Sequence, residues 1–373
     1  MNPFIVYAFV FLSLLGSVSA QGPPFNPFAG LEQEIANAPK ALDPAESEEL
    51  ETEPSRSQGR DLSKFELWDS KNPVQELEPL PRWPSPWVFS YQIEVGSEQS
   101  YVDSNDSVTL SSESDEYRLV PHEVNRRKQE FIFRWNPTQN DEVQLLVPLI
   151  FSKAKLVEQG GAEGTLDEVG VGDVALDYVR YAYGDRQEVY YMSLGARIPT
   201  GRSNHSIKLD DGSTELLPYA LQMGRGHYEA RLGAGYRRPL DRKTDAGIRW
   251  WGSLPVDDND KGFRYGASTG VRFTYEYDLF DWFTVRPRIT GRWSDSIQGR
   301  DLDLDPSDSP VHDPSNYGGT SFDVGLVSIY YFPGDPYKTR YVLLGLDYTV
   351  WRDTPGIQLS EDWVFQFGLG WRF

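Results

Sequence analysis

The last segment of the chain, Trp363-Val364-Phe365-Gln366-Phe367-Gly368-Leu369-Gly370-Trp371-Arg372-Phe373, alternates strictly between bulky apolar residues and mostly small or polar ones. Successive side chains of a β-strand point to opposite faces, so Trp363, Phe365, Phe367, Leu369, Trp371 and Phe373 share one face. Val364, Gln366, Gly368, Gly370 and Arg372 share the other. A soluble sandwich rarely shows so bulky an aromatic face with small and charged residues behind it. A strand that meets lipid on one side and a polar interior on the other needs that arrangement.

The same period of two returns along the chain from Trp87 onward. It is clear in Trp87 to Val95, Phe131 to Trp135, Val143 to Val147, Val174 to Tyr181, Tyr190 to Ile198 and Tyr228 to Tyr236. It continues in Ala246 to Leu254, Phe263 to Tyr277, Phe283 to Trp293, Phe322 to Phe332 and Tyr341 to Trp351, and ends with the terminal run. The expectation is an all-β, transmembrane antiparallel β-barrel of about twelve strands, most near the ~9–11 residues that a tilted membrane strand needs. Long connections (Gly96 to Asn125, Ser152 to Gly170, Thr200 to Gly226, Pro255 to Gly262, Ile297 to Thr320, Arg352 to Glu361) alternate with short turns. Bacterial barrels have long external loops, short periplasmic turns and an even strand number, so this alternation supports the count. Pro287 removes one ladder donor within the ninth run, and a bulge or a weakened pair is expected there.

Residues 1–20 read as an export signal, with an apolar core from Phe4 to Leu15 and small residues up to Ala20. Residues 21–86 are rich in proline and acid and read as a disordered periplasmic extension, leaving 87–373 for the barrel. No later run approaches the ~18 apolar residues of a membrane helix. The absence of cysteine excludes a disulfide scaffold and a thiolate metal site. A net charge of −20 argues against nucleic acid as a partner.

Three clusters carry a resemblance. Gly170-Val171-Gly172-Asp173-Val174 opens a strand, Ile198-Pro199-Thr200-Gly201 ends the next, and Leu221-Gln222-Met223-Gly224-Arg225-Gly226 leads into another. In this order they resemble the outer-membrane transporter family named for the meta-cleavage (MetA) pathway of phenol degradation. The chain departs from that pattern at Met223 and Arg225, where smaller residues are more usual, and in its long acidic extension. The resemblance implies passage of a small aromatic or hydrophobic solute across the outer membrane of a Gram-negative bacterium. The terminal Phe373 likewise resembles the aromatic signature read by the barrel-assembly machinery. From the residues alone, the glycines are first of all permissive backbone at strand ends, with solute binding by Asp173 as the alternative.

With the aromatic faces outward, the lumen receives Arg134, Arg197, Arg231, Arg237, Arg249, Arg264, Arg272, Arg286, Arg288, Arg292 and Arg372. Facing them are Glu94, Glu130, Asp173, Asp177, Glu229, Glu276, Asp323 and Asp347. These groups either brace a packed barrel or form charge rings that sort solutes. Arg286, Arg288 and Arg292 share one wall, with only Glu276 and Asp323 on the adjoining strands, so an excess positive wall that favours anions is expected. No nucleophile elbow or paired-histidine metal motif is visible, and His122, His205, His227 and His312 all fall in or beside external loops. The expectation is therefore a non-enzymatic channel without a cofactor, lying in outer-membrane lipid and passing a small solute. The alternative is a non-transporting barrel that acts in surface structure or adhesion through its acidic loops.

Overall fold

The computed structural model describes residues 87–96, 99–108, 117–159, 161–184, 188–332 and 340–372. The expected signal sequence, the acidic extension, Phe373 and the Arg372 side chain lie outside the described residues. Twelve antiparallel strands form a closed ring: β1 Trp87–Gly96, β2 Leu119–Trp135, β3 Asp141–Glu158, β4 Val174–Tyr183, β5 Val189–Ile198 and β6 Glu229–Pro239, then β7 Thr244–Pro255, β8 Ser268–Phe280, β9 Phe283–Ser294, β10 Gly319–Tyr331, β11 Arg340–Asp353 and β12 Trp363–Arg372. Each strand pairs with its sequence neighbours, and β1 closes the ring on β12, with Val88 opposite Arg372 and Gly96 opposite Val364. Closure leaves the barrel no unpaired edge within the hydrocarbon, where an unsatisfied backbone group is costly.

The alternation read from the sequence is the alternation of the wall. Outward side chains such as Met192 (71% exposed), Leu194 (61%) and Ile289 (55%) stand free, while inward residues between and beside them, such as Ser193, Arg288 and Thr290, are buried. Aromatic pairs ring the short-turn end, among them Trp87 with Trp135 (6.0 Å between ring centroids), Tyr190 with Tyr236 (4.9 Å) and Phe280 with Trp282 (5.0 Å). Phe322 and Trp351 (5.5 Å) mark the opposite rim. An apolar band between two aromatic girdles is the lipid-facing surface of a membrane barrel.

Two sequence expectations need correction, and a third is met. The connections expected at Gly96 to Asn125 and Ser152 to Gly170 contain much strand, because β2 and β3 run beyond the rim as a long hairpin. A further strand, Glu163–Val171, folds back along β3. Above the lipid an outward face need not be apolar, so Arg126, Arg127 and Lys128 hide a period that the backbone keeps. The eighth strand begins at Ser268 rather than Phe263, since Phe263–Arg264 pairs instead with Gln298–Gly299 in an external hairpin. Pro287 produces no bulge. The ladder from β9 to β10 runs unbroken through Pro287 and Leu326, whereas the ladder to β8 omits Arg286 and Pro287, which is the weakened pair expected of a missing donor.

The outer connections pack on one another. Leu119, Leu156, Leu166, Ile207, Leu209 and Leu217 form one apolar cluster, and Tyr219, Phe263, Ile297, Leu304 and Tyr317 form a second. The Arg118 guanidinium joins three connections at once, contacting Glu158 (2.7 Å), Glu215 (3.0 Å) and Asp308 (2.8 Å). These carboxylates hold its pKa above the ordinary arginine value.

Candidate functional site

The lumen is organised by a repeated cross-strand arrangement. An inward glycine on one strand leaves room for the large inward side chain opposite it, which lies across the glycine and reaches the strand beyond. Asp347 on β11 lies over Gly325 on β10 and meets Arg288 on β9, with Arg288 Nε donating to Asp347 Oδ1 at 2.8 Å. Asp177 on β4 lies over Gly195 on β5 and meets Arg231 on β6 at 3.1 Å. Tyr341 lies over Gly370 toward Ser90 (hydroxyl separation 3.3 Å), and Trp251 lies over Gly270. A Cβ on any of these glycines would collide with the side chain resting on it.

This arrangement overturns the expected positive wall on β9. Arg286 pairs with Glu276 and Arg292 with Asp323, both on adjoining strands. Arg288 takes its carboxylate from two strands away and also donates to Gln366 Oε1 at 2.9 Å. Asp347 was not counted as a neighbour in sequence, because only the glycine between them lets it reach Arg288. All three arginines are therefore neutralised.

Most of the other candidate residues lie in the lumen. Arg249 stacks over the Trp251 ring at 5.5 Å, and Arg272 Nε donates to Thr290 Oγ1 at 2.9 Å. Glu229 is buried between Arg197 (2.9 Å), Arg225 and the Ser253 hydroxyl (2.6 Å). Asp323 accepts from Thr349 Oγ1 at 2.7 Å. Arg264 does not belong to this set: it sits in the external hairpin, bonded to Asp258 (3.0 Å) and Gln298.

The inner half of the barrel is filled. Ile132, Leu146 and Ala175 on β2 to β4 pack in one cluster with Val327, Ile329, Tyr331, Tyr341 and Leu343 on β10 and β11. Ile329, Val327 and Ile132 are each 0% exposed. The outer half instead holds a cavity of about 640 Å³, whose lining includes Glu94, Arg126, Lys128, Glu130, Arg197, Arg231, Arg292 and Glu361.

The three glycine-rich motifs meet at the mouth of this cavity. Asp173 accepts from the backbone amides of Gly201 (3.0 Å) and Arg225 (2.8 Å), tying the second and third motifs to the first. Thr200 accepts from Val174 N (3.0 Å) and donates to Gly172 O (2.8 Å). Gly201 and Gly224 approach so closely that a Cβ on either would strike the other's backbone. Gln222 donates to Leu217 O (2.6 Å) and accepts from His205 N (2.9 Å). The result is a strap, residues 218–226, pinned across the mouth and contributing Tyr219, Ala220, Gln222, Met223, Gly224 and Arg225 to the cavity wall. Asp173 is thus a positioning group for the strap. Arg126 and Arg225 were absent from the expected site residues: Arg126 lay in a presumed loop, and Arg225 showed only as a departure from the motif.

No protein-family model matches the chain, and no curated protein matches its sequence. Among solved structures, an outer-membrane channel from Pseudomonas putida F1 superposes with a TM-score of 0.52 at 13% identity, covering 78% of this chain and 96% of that one. The fold is that of an outer-membrane β-barrel. The CymD monoaromatic hydrocarbon channel (TM-score 0.41, 10% identity, 78% and 90% covered) and a FadL homologue of Pseudomonas aeruginosa (0.40, 8%, 78% and 91%) are more distant.

Proposed function

We propose that this protein is an outer-membrane channel for a small solute. The observation that carries the reading is the outer cavity of about 640 Å³, set within the barrel wall, lined by charged and apolar groups alike and crossed by a strap. Small-molecule sites span roughly 300–1,000 Å³. The filled inner half makes this a closed state, and passage requires the inner packing to part. The motif resemblance adds the solute class, a small aromatic or hydrophobic compound.

Single-channel recording in planar bilayers tests the proposal, with Asp173→Ala as the comparison. Removing the carboxylate frees the amides of Gly201 and Arg225, so the variant is expected to open more often or to conduct more than the wild type. Silence from both proteins, each shown to be a folded barrel by its heat-modifiable migration, would refute transport. The packed inner half supports the second reading, a barrel that serves surface structure alone.

A further inference from the structure

One guanidinium at the strap is held by carbonyls and not by a carboxylate. Arg126, on the part of β2 above the rim, reaches the strap and donates from Nη1 to Ala220 O (2.7 Å) and from Nη2 to Gln222 O (3.0 Å). It forms no ion pair within 4.0 Å among the described residues. Two carbonyls satisfy hydrogen bonds, and Glu361 and Glu94 act on the charge only through space, so no carboxylate contacts it. Close by, Arg197 and Arg225 share the single carboxylate of Glu229. That carboxylate lies behind them, with 1% of its side chain exposed against 16% for Arg197 and 37% for Arg225. At Arg197 and Arg225 the cavity therefore meets guanidinium groups in front and the Glu229 carboxylate behind.

Four carboxylates line the cavity, and none forms a direct ion pair with Arg126. Glu130 is paired with Lys128, Asp173 holds two backbone amides, and Glu361 accepts from Gln99 Nε2 at 3.1 Å, while Glu94 and Glu361 act on Arg126 only through space. The same corner is aromatic. The Arg225 guanidinium stands over the Tyr265 ring at 5.1 Å, and the Tyr265 hydroxyl donates to Tyr219 O at 2.6 Å, fixing that ring beside the strap.

Resting on the channel reading and narrowing its solute, we propose that Arg126, Arg197 and Arg225, with the Tyr265 ring, form a subsite for a small aromatic carboxylate. The guanidinium groups take the carboxylate, for which their planar donor pairs are suited. The ring packs against the planar body. A neutral isostere would lack the charge to form a direct ion pair with Arg126, and a short aliphatic acid would lack the ring.

The test is calorimetric titration of the full chain in detergent with benzoate, benzamide and acetate, at low salt because screening weakens such contacts. Benzoate is expected to bind at least about tenfold more tightly than benzamide or acetate, a difference of about 1.4 kcal/mol. Arg126→Gln is expected to remove most of that preference while leaving the heat-modifiable barrel intact. Arg264→Gln, a loop arginine outside the cavity, is expected to leave it unchanged. Equal binding of benzoate and benzamide, equal binding of benzoate and acetate, no binding of benzoate, or an unchanged preference in Arg126→Gln would each overturn the assignment. Binding without conductance would retain the subsite and reject transport. Conductance without benzoate binding would do the reverse.

Discussion

The inward glycines make a quantitative prediction at Gly325. Arg288 and Asp347 have side chains 0% and 1% exposed, and they meet only because Gly325 leaves the space between them open. In Gly325→Ala the new methyl collides with Asp347 Oδ1 and stands 3.0 Å from Arg288 Nε, so the carboxylate has to turn away. Arg288 then keeps Gln366 Oε1 as a neutral acceptor but loses its carboxylate. Breaking a buried ion pair costs about 3–5 kcal/mol. The control is Gly368→Ala, also inward, where the nearest atom is Leu343 Cβ at an ordinary 3.5 Å. With room for the methyl, that change lowers the entropy of the unfolded chain and should stabilise by about 0.4–1 kcal/mol. Reversible urea unfolding in lipid vesicles measures both. A third protein separates the seat from a general dislike of alanine: in an Asp347→Ala background the methyl at Gly325 no longer meets the carboxylate and has only the Arg288 side chain, at 3.0 Å, to ease aside, so most of its cost should disappear. If Gly325→Ala costs as much with Asp347 removed as with it present, the cross-strand account is wrong.

Three further outcomes are expected. In a chain without native cysteines, single cysteines at Asp211 and Ser307 should label from outside intact cells and one at Thr138 should not; labelling of Thr138 would invert the topology. Burial lowers the His312 pKa below its ordinary 6.5 in the outer connection, so the unfolded connection takes up a proton before the folded one does. Its contribution is present above pH 6.5 and is lost as pH falls from 6.5 through the lowered folded value. The protection of the amides in residues 311–313 and 315–316, taken relative to their intrinsic exchange rate at each pH, should therefore fall over that range in the wild type, and protection that does not change with pH would count against it. Arg118→Ala should open the outer connections to added protease with little change in the urea midpoint, because half-exposed pairs are worth about 0–1 kcal/mol each; unchanged cleavage would show that the apolar clusters alone hold them.

How much was legible in sequence follows from how local each signal is. Alternation of side chains needs only a run of neighbouring residues, so the twelve strands, their inward and outward faces and the even count could be read directly. The signal failed where lipid no longer demands an apolar face, as in the upper parts of β2 and β3, and where Phe263-Arg264 mimicked one more turn of β8. The lumen's chemistry was legible as a set of residues but not as pairs. Arg288 meets Asp347 because of the strand between them, and a glycine paired across strands with a large inward residue is a sign of this only once the register is known. The three glycine-rich motifs could be seen as strand ends. Their union into one strap, with Asp173 bonding to backbone 28 and 52 residues away, is a fact of barrel closure. Closure also decided that the inner half is packed and the outer half hollow, since Ile132 and Ile329, far apart in the chain, join one apolar cluster only across the lumen.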